Sequence, residues 1–355
     1  MRLSSWLRDW PFHLVVLVLT GLGLLNQWSA GGPHYFWRHL LFSLLGLGIY
    51  GVVVWADYRR WTLGKAAWIY LAFLVLLTYM GLTHKRWLYA GGFSLQPSEF
   101  LKPLLVVFLS LLFSGVEAPV LPAFLFGGGL VAVSLPAFLV ALTDLDQAFL
   151  ILVIGFTLIV FAGLSRRLAL GLFLSAVVAG SLAGPILWHH LKPYQKARII
   201  AFLKPGKTQK RWSYQTQQAL IAVGSGGLKG QGFGKGLSSR LHYLPAKHTD
   251  LAFAVWAEEW GFLGTSFLLL FYGLVWGWGL RTAYQARDQL GRFLAFGATA
   301  CLFWQISINL GGVIRLLPTA SLPLPFLSYG GSAYLTNMIL LGIIASVQRR
   351  RFSFR

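Results

Sequence analysis

The sequence predicts an all-α polytopic membrane protein with about ten transmembrane helices. Two observations support this fold class. Of the 355 residues, 56% are hydrophobic and only 11% are charged, whereas soluble domains average about 25% charged residues. The apolar residues also fall in runs of roughly 20, the length that a helix needs to cross a bilayer. The composition therefore excludes an ordinary cytosolic enzyme and a disordered chain.

Ten apolar runs predict the transmembrane helices. They lie at approximately 12–30, 40–56, 66–82, 98–115, 122–142, 147–164, 168–188, 251–277, 293–311 and 331–348. The first run could pass for a signal peptide ending near Ser29-Ala30, but the nine runs after it favour an uncleaved helix. We therefore predict a single integral membrane domain over residues 1–355.

The basic residues of the short loops predict the orientation of these helices. The chain has 30 Lys+Arg against 10 Asp+Glu, a formal net charge of +20. Cytoplasmic loops carry an excess of Lys and Arg, and placing the N-terminus inside puts Arg59, Arg60, Arg166, Arg281 and Arg349 on that side. Both termini are then cytoplasmic. The apolar excess makes a membrane, and not nucleic acid, the expected partner of this charge.

A long loop between helices seven and eight, about residues 189–250, is predicted on the extracytoplasmic side. It carries eleven basic residues and no acid before Asp250. Anionic lipid headgroups would explain the charge. An anionic substrate such as a phosphate or pyrophosphate would explain it equally well.

Asp250 is the acid with the most informative position, because it ends the basic loop and begins the eighth helix. Thr249 or Asp250 could simply cap that helix by accepting from its first N–H groups. Alternatively, a carboxylate beside so many cations stays ionised and can act as a general base on a substrate hydroxyl.

For the other acids at membrane depth, a structural role is favoured over a catalytic one. Glu99 and Lys102 are spaced i,i+3 and can pair on one helix face as the wall of a cavity. Glu258 and Glu259 lie about two turns into the eighth helix, where a structural role is favoured over catalysis. Ionisable groups at this depth are nevertheless functional candidates.

Two kinds of site are rejected. The glycine-rich segment 224–236 lacks the spacing of a nucleotide-binding loop and no βαβ unit surrounds it. Tight turns near the membrane surface are expected there, with N–H groups that could meet anions. No histidine pair has metal-site spacing, and Cys301 is the only cysteine, so no resident metal is predicted.

Several linked motifs resemble the SEDS family (shape, elongation, division, sporulation) in order along the whole chain. They are Arg86-Trp87, Gln96-Pro97-Ser98-Glu99, Tyr194-Gln195-Lys-Ala-Arg198-Ile, Tyr214-Gln215-Thr-Gln217-Gln218, Gly224-Ser-Gly-Gly227, Ser239-Arg240-Leu-His-Tyr-Leu-Pro245-Ala-Lys-His-Thr-Asp250, Ala257-Glu258-Glu259 and Leu322-Pro-Leu-Pro-Phe326-Leu-Ser328-Tyr-Gly-Gly-Ser332. The sequence around Glu258 and Gly224 is more similar to the elongation branch (RodA) than to the division branch (FtsW).

The resemblance implies a peptidoglycan glycosyltransferase that polymerises lipid II at the outer face of the bacterial cytoplasmic membrane during cell elongation. It also implies a class B penicillin-binding protein as partner, with helices eight and nine as contacts, and other elongation-complex proteins. Asp250 matches the family's essential aspartate. The other matched positions are candidates for substrate binding or the cavity wall: Arg86, Trp87, Glu99, Lys102, Asp144, Lys196, Arg198, Gln215, Gln218, Arg240, Lys247, Glu258 and Ser328.

The sequence departs from the family pattern at a few positions. Asp146 and Gln147 replace small residues after Asp144, which leaves the cavity wall there undetermined. Arg315 stands where glycine is common, and Ala320-Ser321 replaces Thr-Gly. None of these departures removes the proposed base.

On this hypothesis Asp250 deprotonates the 4-hydroxyl of one sugar. Lys196, Arg198 and Arg240 hold the pyrophosphate of the other lipid II, whose departure needs positive charge more than a proton. A divalent cation, Mg²⁺ or Mn²⁺, could assist. A lipid-linked precursor flippase, an FtsW-like division polymerase and a non-catalytic scaffold are the alternatives.

Overall fold

The computed structural model of the chain describes most of the sequence, and the seventh predicted helix is covered only at isolated positions. The described residues are 3–90, 93–116, 121–164, 168, 170–171, 174–175, 178, 181, 188–189, 191, 193–203, 210–237, 244 and 246–351. Arg240 lies outside them.

Helices account for most of the described chain, which confirms the predicted all-α polytopic class. They are α1 (Leu3–Trp55), α2 (Leu63–Leu82), α3 (Pro97–Phe113), α4 (Ala123–Ala141), α5 (Leu145–Phe161), α6 (Pro193–Leu203), α7 (Lys210–Ser225), α8 (Ala252–Gln285), α9 (Gln289–Val313) and α10 (Gly331–Arg350). A short 3-10 turn, Tyr58–Arg60, follows α1.

Six of the described helices are long and apolar enough to span a membrane: Trp10–Trp55 of α1, then α2, α4, α8, α9 and α10. The apolar α5 is shorter, and α3 carries the charged Glu99 and Lys102 in its first turns. The predicted number of ten spans and the cytoplasmic termini therefore stay predictions.

Helix α1 consists of two antiparallel halves that correspond to the first two predicted runs. Its backbone is non-helical at Gly32, where φ is 71°. The ring nitrogen Nδ1 of His13 and the hydroxyl of Tyr50 are hydrogen-bonded across the two halves. Glycine is suited to this reversal because it adopts positive φ without a Cβ clash.

Helix α8 is also interrupted, which the single predicted run 251–277 did not anticipate. Gly261 has φ of 61° and divides a fully buried first segment, residues 252–259, from a longer second segment that ends at Gln285. The amides of Phe262 and Leu263 donate to the carbonyls of Gly227 and Leu228 at 2.8 and 3.1 Å. The glycine-rich segment therefore supplies the acceptors for backbone amides that the break leaves without a partner inside the helix.

The amides of this glycine-rich segment are used by protein groups, contrary to their predicted availability for anions. Gln231 N–H donates to the carbonyl of Glu258 and Gly232 N–H to that of Glu259, each at 3.0 Å. A Cβ on Gly230 would lie 2.1 Å from the Glu259 carbonyl oxygen. Close packing against α8 therefore explains Gly230, and also Gly226, where a Cβ would lie 2.1 Å from the Ala257 carbonyl oxygen.

Two pairs of elements were absent from the sequence prediction. The long loop before α8 contains α6 and α7, and an antiparallel hairpin, β1 (Leu88–Ala90) with β2 (Phe93–Leu95), precedes α3. Short polar helices and three-residue strands give weak periodic signals. The amide of Gln96 donates to the Ser332 hydroxyl at 2.9 Å, which ties the hairpin to α10.

The core is centred on α9, which is mostly buried, and on α10, which is almost entirely buried. Helix α10 packs against α1, α9 and α3, and α9 packs against α8, α3 and α5. Asp144 caps α5 by accepting from Gln147 N–H at 3.4 Å. The beginnings of α3, α5 and α8 meet the end of α9 and the segment 314–330 at one end of the helices, where the candidate site lies.

Candidate functional site

Asp250 is a half-buried residue at the end of a turn, residues 246–251, that leads into α8. The N-cap of α8 is Leu251, and no side chain accepts a capping hydrogen bond there. The interpretation of Thr249 or Asp250 as the helix cap is therefore wrong. Asp250 instead lines a cavity.

Buried polar side chains hold the backbone of this turn. Asn309 Nδ2 donates to the Asp250 carbonyl at 3.1 Å and to the Leu322 carbonyl at 2.6 Å. Ser328 Oγ donates to the Thr249 carbonyl at 2.6 Å. These bonds fix the turn to α9 and to the segment before α10 without using the carboxyl group of Asp250.

The neighbouring residue His248 provides further support for the turn. Its carbonyl accepts from the Tyr329 amide at 2.7 Å and from Gln27 Nε2 at 3.1 Å. Its ring stacks on Tyr35 with the centroids 4.0 Å apart. The turn is thereby attached to both halves of α1 as well.

Asp250 lines a small cavity of about 20 Å³. Its lining consists of residues from α6, α7, the turn itself, α9 and the segment after α9: Arg198, Gln215, Asp250, Leu251, Asn309, Gly312, Val313, Thr319 and Ala320. Burial raises the pKa of Asp250 to about 6, against the lowering effect of Arg198. A carboxylate with this pKa is mostly ionised at neutral pH and is a stronger base than an exposed one.

Arg198 is fixed close to Asp250 by two other residues. Its Nη1 donates to Asp146 Oδ2 at 2.8 Å, and its Nη2 donates to Ser321 Oγ. The Ser321 amide donates to the same Asp146 oxygen at 2.7 Å. After burial, which raises the pKa of Asp250, the nearby Arg198 and the Ser321 hydroxyl both act to lower it. This cluster joins α6, α5 and the segment after α9 at the edge of the small cavity.

A second, larger cavity of about 390 Å³ adjoins the first. Its lining residues are Arg86, Asp144, Leu145, Asp146, Leu191, Gln195, Arg198, Ile199, Pro318, Thr319 and Ser321. Arg86 pairs with Asp144, which also accepts from Gln96 Nε2 at 3.2 Å. Arg198 and Thr319 line both cavities, so the Arg198 side chain lies between them.

The predicted pair Glu99–Lys102 is present and fully buried behind the wall of the larger cavity. Lys102 Nζ lies 2.5 Å from Glu99 Oε2 and donates to Gln305 Oε1 at 3.0 Å. Gln147 Nε2 donates to Glu99 Oε1. Gln147, a departure from the family pattern, therefore has a defined role next to the capping residue Asp144.

The remaining predicted site residues occupy several environments. Lys247 is half-buried in the Asp250 turn, and burial lowers its pKa, an effect that Glu259 opposes. Glu258 is buried in the first segment of α8, and Ser328 is buried beneath the turn. Both lie outside the linings of the two cavities described above.

Three other predicted residues also lie outside those two linings. Trp87 is half-buried immediately before β1, and Gln218 is half-buried one turn after Gln215 on α7. Lys196 Nζ donates to the His189 carbonyl at 3.3 Å. Arg240 falls outside the described residues.

Sequence reasoning missed Asn309 and Ser321 as site residues and did not include Asp146 among them. Asn309 had a detectable signal, because a buried amide within an apolar run is costly and marks a function or a specific partner. Asp146 and Ser321 were noted only as departures from the family pattern. Their pairing with Arg198 depends on contacts distant in sequence.

The donor set does not fit a divalent cation. The two carboxylates that line the larger cavity, Asp144 and Asp146, are each paired with an arginine. Among the described residues, no three His, Cys, Asp or Glu side chains are grouped as metal ligands. The chemistry available to the site is one base with a raised pKa beside two positioned guanidinium groups.

Comparisons with known proteins identify the family of this chain. A family model described as "Cell cycle protein", for FtsW, RodA and SpoVE, matches residues 10–352. The chain is 35% identical to the peptidoglycan glycosyltransferase MrdB of Escherichia coli (strain K12) over 95% of this chain and 92% of that protein. It is 32% identical to stage V sporulation protein E of Bacillus subtilis (strain 168), over 95% of each chain.

Solved structures are similar over nearly the whole chain. One chain of a peptidoglycan synthase complex, described for its coordination of polymerization and crosslinking, superposes with a TM-score of 0.81 at 27% identity and covers 98% of this chain and 99% of its own length. The rod shape determining protein RodA of Thermus thermophilus gives a TM-score of 0.71 at 27% identity, with 98% of each chain covered. The predicted SEDS resemblance is thereby confirmed, and this chain belongs to the FtsW/RodA/SpoVE family.

Proposed function

We propose that this protein is a peptidoglycan glycosyltransferase that polymerises lipid II into glycan strands during cell elongation. Glycosyl transfer is the activity named for its MrdB and FtsW relatives. The observation that carries the proposal is the position of Asp250. This residue, whose carboxyl group has a pKa of about 6, lines a cavity that shares Arg198 with a larger cavity.

In the proposed reaction Asp250 acts as the general base. Its carboxylate accepts the proton of the 4-hydroxyl group on one sugar as that oxygen attacks the anomeric carbon of the other lipid II. The carbon–oxygen bond to the pyrophosphate breaks, and the polyprenyl pyrophosphate leaves with the bonding electrons. A base of this kind contributes typically 10²–10⁴-fold when its pKa is close to the working pH.

The leaving pyrophosphate would be held in the larger cavity by Arg86 and Arg198. Planar guanidinium groups suit phosphate oxygens because they present several N–H donors in a fixed geometry. Asp144 and Asp146 position these groups by pairing with them. No proton is required by this leaving group, so a single carboxylate suffices, whereas hydrolysis of sugar–sugar bonds uses two.

We infer the orientation of the protein in the membrane from the distribution of basic residues along its sequence. We place the protein in the bacterial cytoplasmic membrane, with both termini cytoplasmic and Asp250 at the outer face. The partner would be a class B penicillin-binding protein. We expect it to contact α8 and α9, since the second segment of α8 exposes large apolar side chains, including Phe262, Leu263 and Phe267.

A liposome assay separates this function from a flippase. The purified protein, alone and with its penicillin-binding protein, is reconstituted and lipid II is added from outside. Glycan strands on a gel support the polymerase. Movement of labelled lipid II across the bilayer without any polymer would instead identify a flippase. If a folded, partner-bound sample shows neither polymer nor movement, that result would favour a scaffold.

A further inference from the structure

We infer that Asp146 and Ser321 form a clamp that holds the Arg198 guanidinium between the two cavities, and that both are positioning residues for polymerisation. This inference rests on the proposed function. It concerns two side chains that were not predicted as site residues.

The clamp consists of contacts among three elements. Arg198 on α6 donates to Asp146 at the start of α5 at 2.8 Å, and also to the Ser321 hydroxyl. Ser321 reinforces the arrangement, because its own amide donates to Asp146 Oδ2 at 2.7 Å. Each of the three residues thus contacts both of the others.

The clamp lies next to the proposed base and the proposed pyrophosphate site, and we therefore connect it with catalysis. Arg198 lines the small cavity next to Asp250 and also the larger cavity with Arg86. An unrestrained arginine samples many rotamers, and the clamp restricts this freedom before substrate binds. The guanidinium is therefore fixed where the pyrophosphate would leave, as preorganised charge stabilisation requires.

The clamp also influences the pKa of Asp250. The charged groups that act on its carboxyl group are Arg198, Asp146 and Arg86. Burial raises the pKa of Asp250 and the carboxylate of Asp146 raises it further, whereas Arg198 and the Ser321 hydroxyl lower it. Because Ser321 Oγ accepts from Arg198 Nη2, its own hydroxyl hydrogen remains available to favour the ionised form of Asp250.

Two variants with opposite expected effects test the clamp. Asp146→Asn keeps the shape of the side chain but removes its charge, so the acid limb of the pH profile for kcat/KM moves to lower pH. Ser321→Ala removes the hydroxyl that lowers the pKa of Asp250, so the same limb moves to higher pH. In both, kcat falls about tenfold with little change in KM, because a hydrogen bond involving a charged group is lost where charge develops.

The matched control is Asp57→Asn. Asp57 Oδ1 lies 3.1 Å from Arg350 Nε, in an aspartate–arginine pair beyond the end of α1 that is far from both cavities. This variant should retain the wild-type pH profile and kcat. Monodisperse elution of every variant in detergent is required before the kinetics are compared.

The outcomes separate the clamp from the proposed function. Opposite displacements of the acid limb in the two variants support the clamp. If wild type and Asp57→Asn polymerise lipid II and both clamp variants reproduce their pH profile and kcat, the clamp is wrong and the polymerase assignment stands. If wild type makes no glycan with its partner present, the proposed function itself fails.

Discussion

The side-chain amide of Asn309 donates to the backbone carbonyl of Asp250 at 3.1 Å. Asp250, the proposed base, is therefore held to α9 through its main chain, and this bond does not use its carboxyl group. Asn309 is buried and binds the Leu322 carbonyl as well. One amide thus joins the Asp250 turn, the end of α9 and the segment that precedes α10.

The pKa of Asp250 predicts the pH dependence of polymerisation. Burial raises this pKa to about 6, and only the ionised carboxylate can accept a proton. We expect kcat/KM to be constant above about pH 7 and to fall toward tenfold per pH unit below the pKa. Initial rates between pH 5 and 8 test this. A flat profile down to pH 5 would contradict the assigned base.

The buried pair Glu99–Lys102 predicts a large loss of stability when one partner is removed. Lys102→Met leaves an uncompensated carboxylate in the core, which typically destabilises by about 3–5 kcal/mol. The midpoint of thermal unfolding in detergent should fall markedly. The double variant Glu99→Gln with Lys102→Met should recover much of the loss, and Lys65→Met, at an exposed position, is the control. An unchanged midpoint in Lys102→Met would show that the pair is dispensable.

Close packing of the glycine-rich segment predicts different effects at two nearby glycines. A Cβ on Gly226 would lie 2.1 Å from the carbonyl oxygen of Ala257, whereas one on Gly224 meets nothing within 4 Å. Gly226→Ala should therefore destabilise by about 1–3 kcal/mol, as overpacking does. Gly224→Ala, within α7, should be neutral or slightly stabilising. Equal unfolding midpoints for the two variants would rule out this packing.

Replacement of Arg315 by glycine is predicted to increase the stability of the protein. Its φ is 61°, in the left-handed region that disfavours side chains by roughly 1–2 kcal/mol. Arg315→Gly should raise the unfolding midpoint, while Arg315→Ala, which removes the charge but keeps the strain, should not. A lower midpoint for the glycine variant would mean that the Arg315 side chain stabilises the loop by more than its backbone strain.

Patterns that are local in sequence predicted much of the fold. Long apolar runs predicted the membrane helices, and the i,i+3 spacing predicted the pair Glu99–Lys102. The break in α8 at Gly261 was missed, because its cause is the approach of a segment about 30 residues earlier. The hydrophobic periodicity of the α8 sequence does not predict that contact.

Prediction of the site was more limited, for a similar reason. Asp250 could be found from its position at the end of an acid-free basic loop, and Arg198 from the motif around it. The roles of Asp146 and Ser321 could not be predicted from the sequence, because they depend on the meeting of α5, α6 and the segment after α9 at one point. Proximity in the linear sequence also suggested Lys196, which lies outside both described cavities.

The most direct test of the central claim is the rate of lipid II polymerisation by Asp250→Asn, purified with its penicillin-binding protein. This variant keeps the side-chain shape and the backbone bond to Asn309 but cannot accept the proton. We expect the rate to fall by at least roughly 10²-fold relative to wild type, with partner binding retained. A folded, partner-bound Asp250→Asn that polymerises lipid II at the wild-type rate would contradict the assignment of Asp250 as the base.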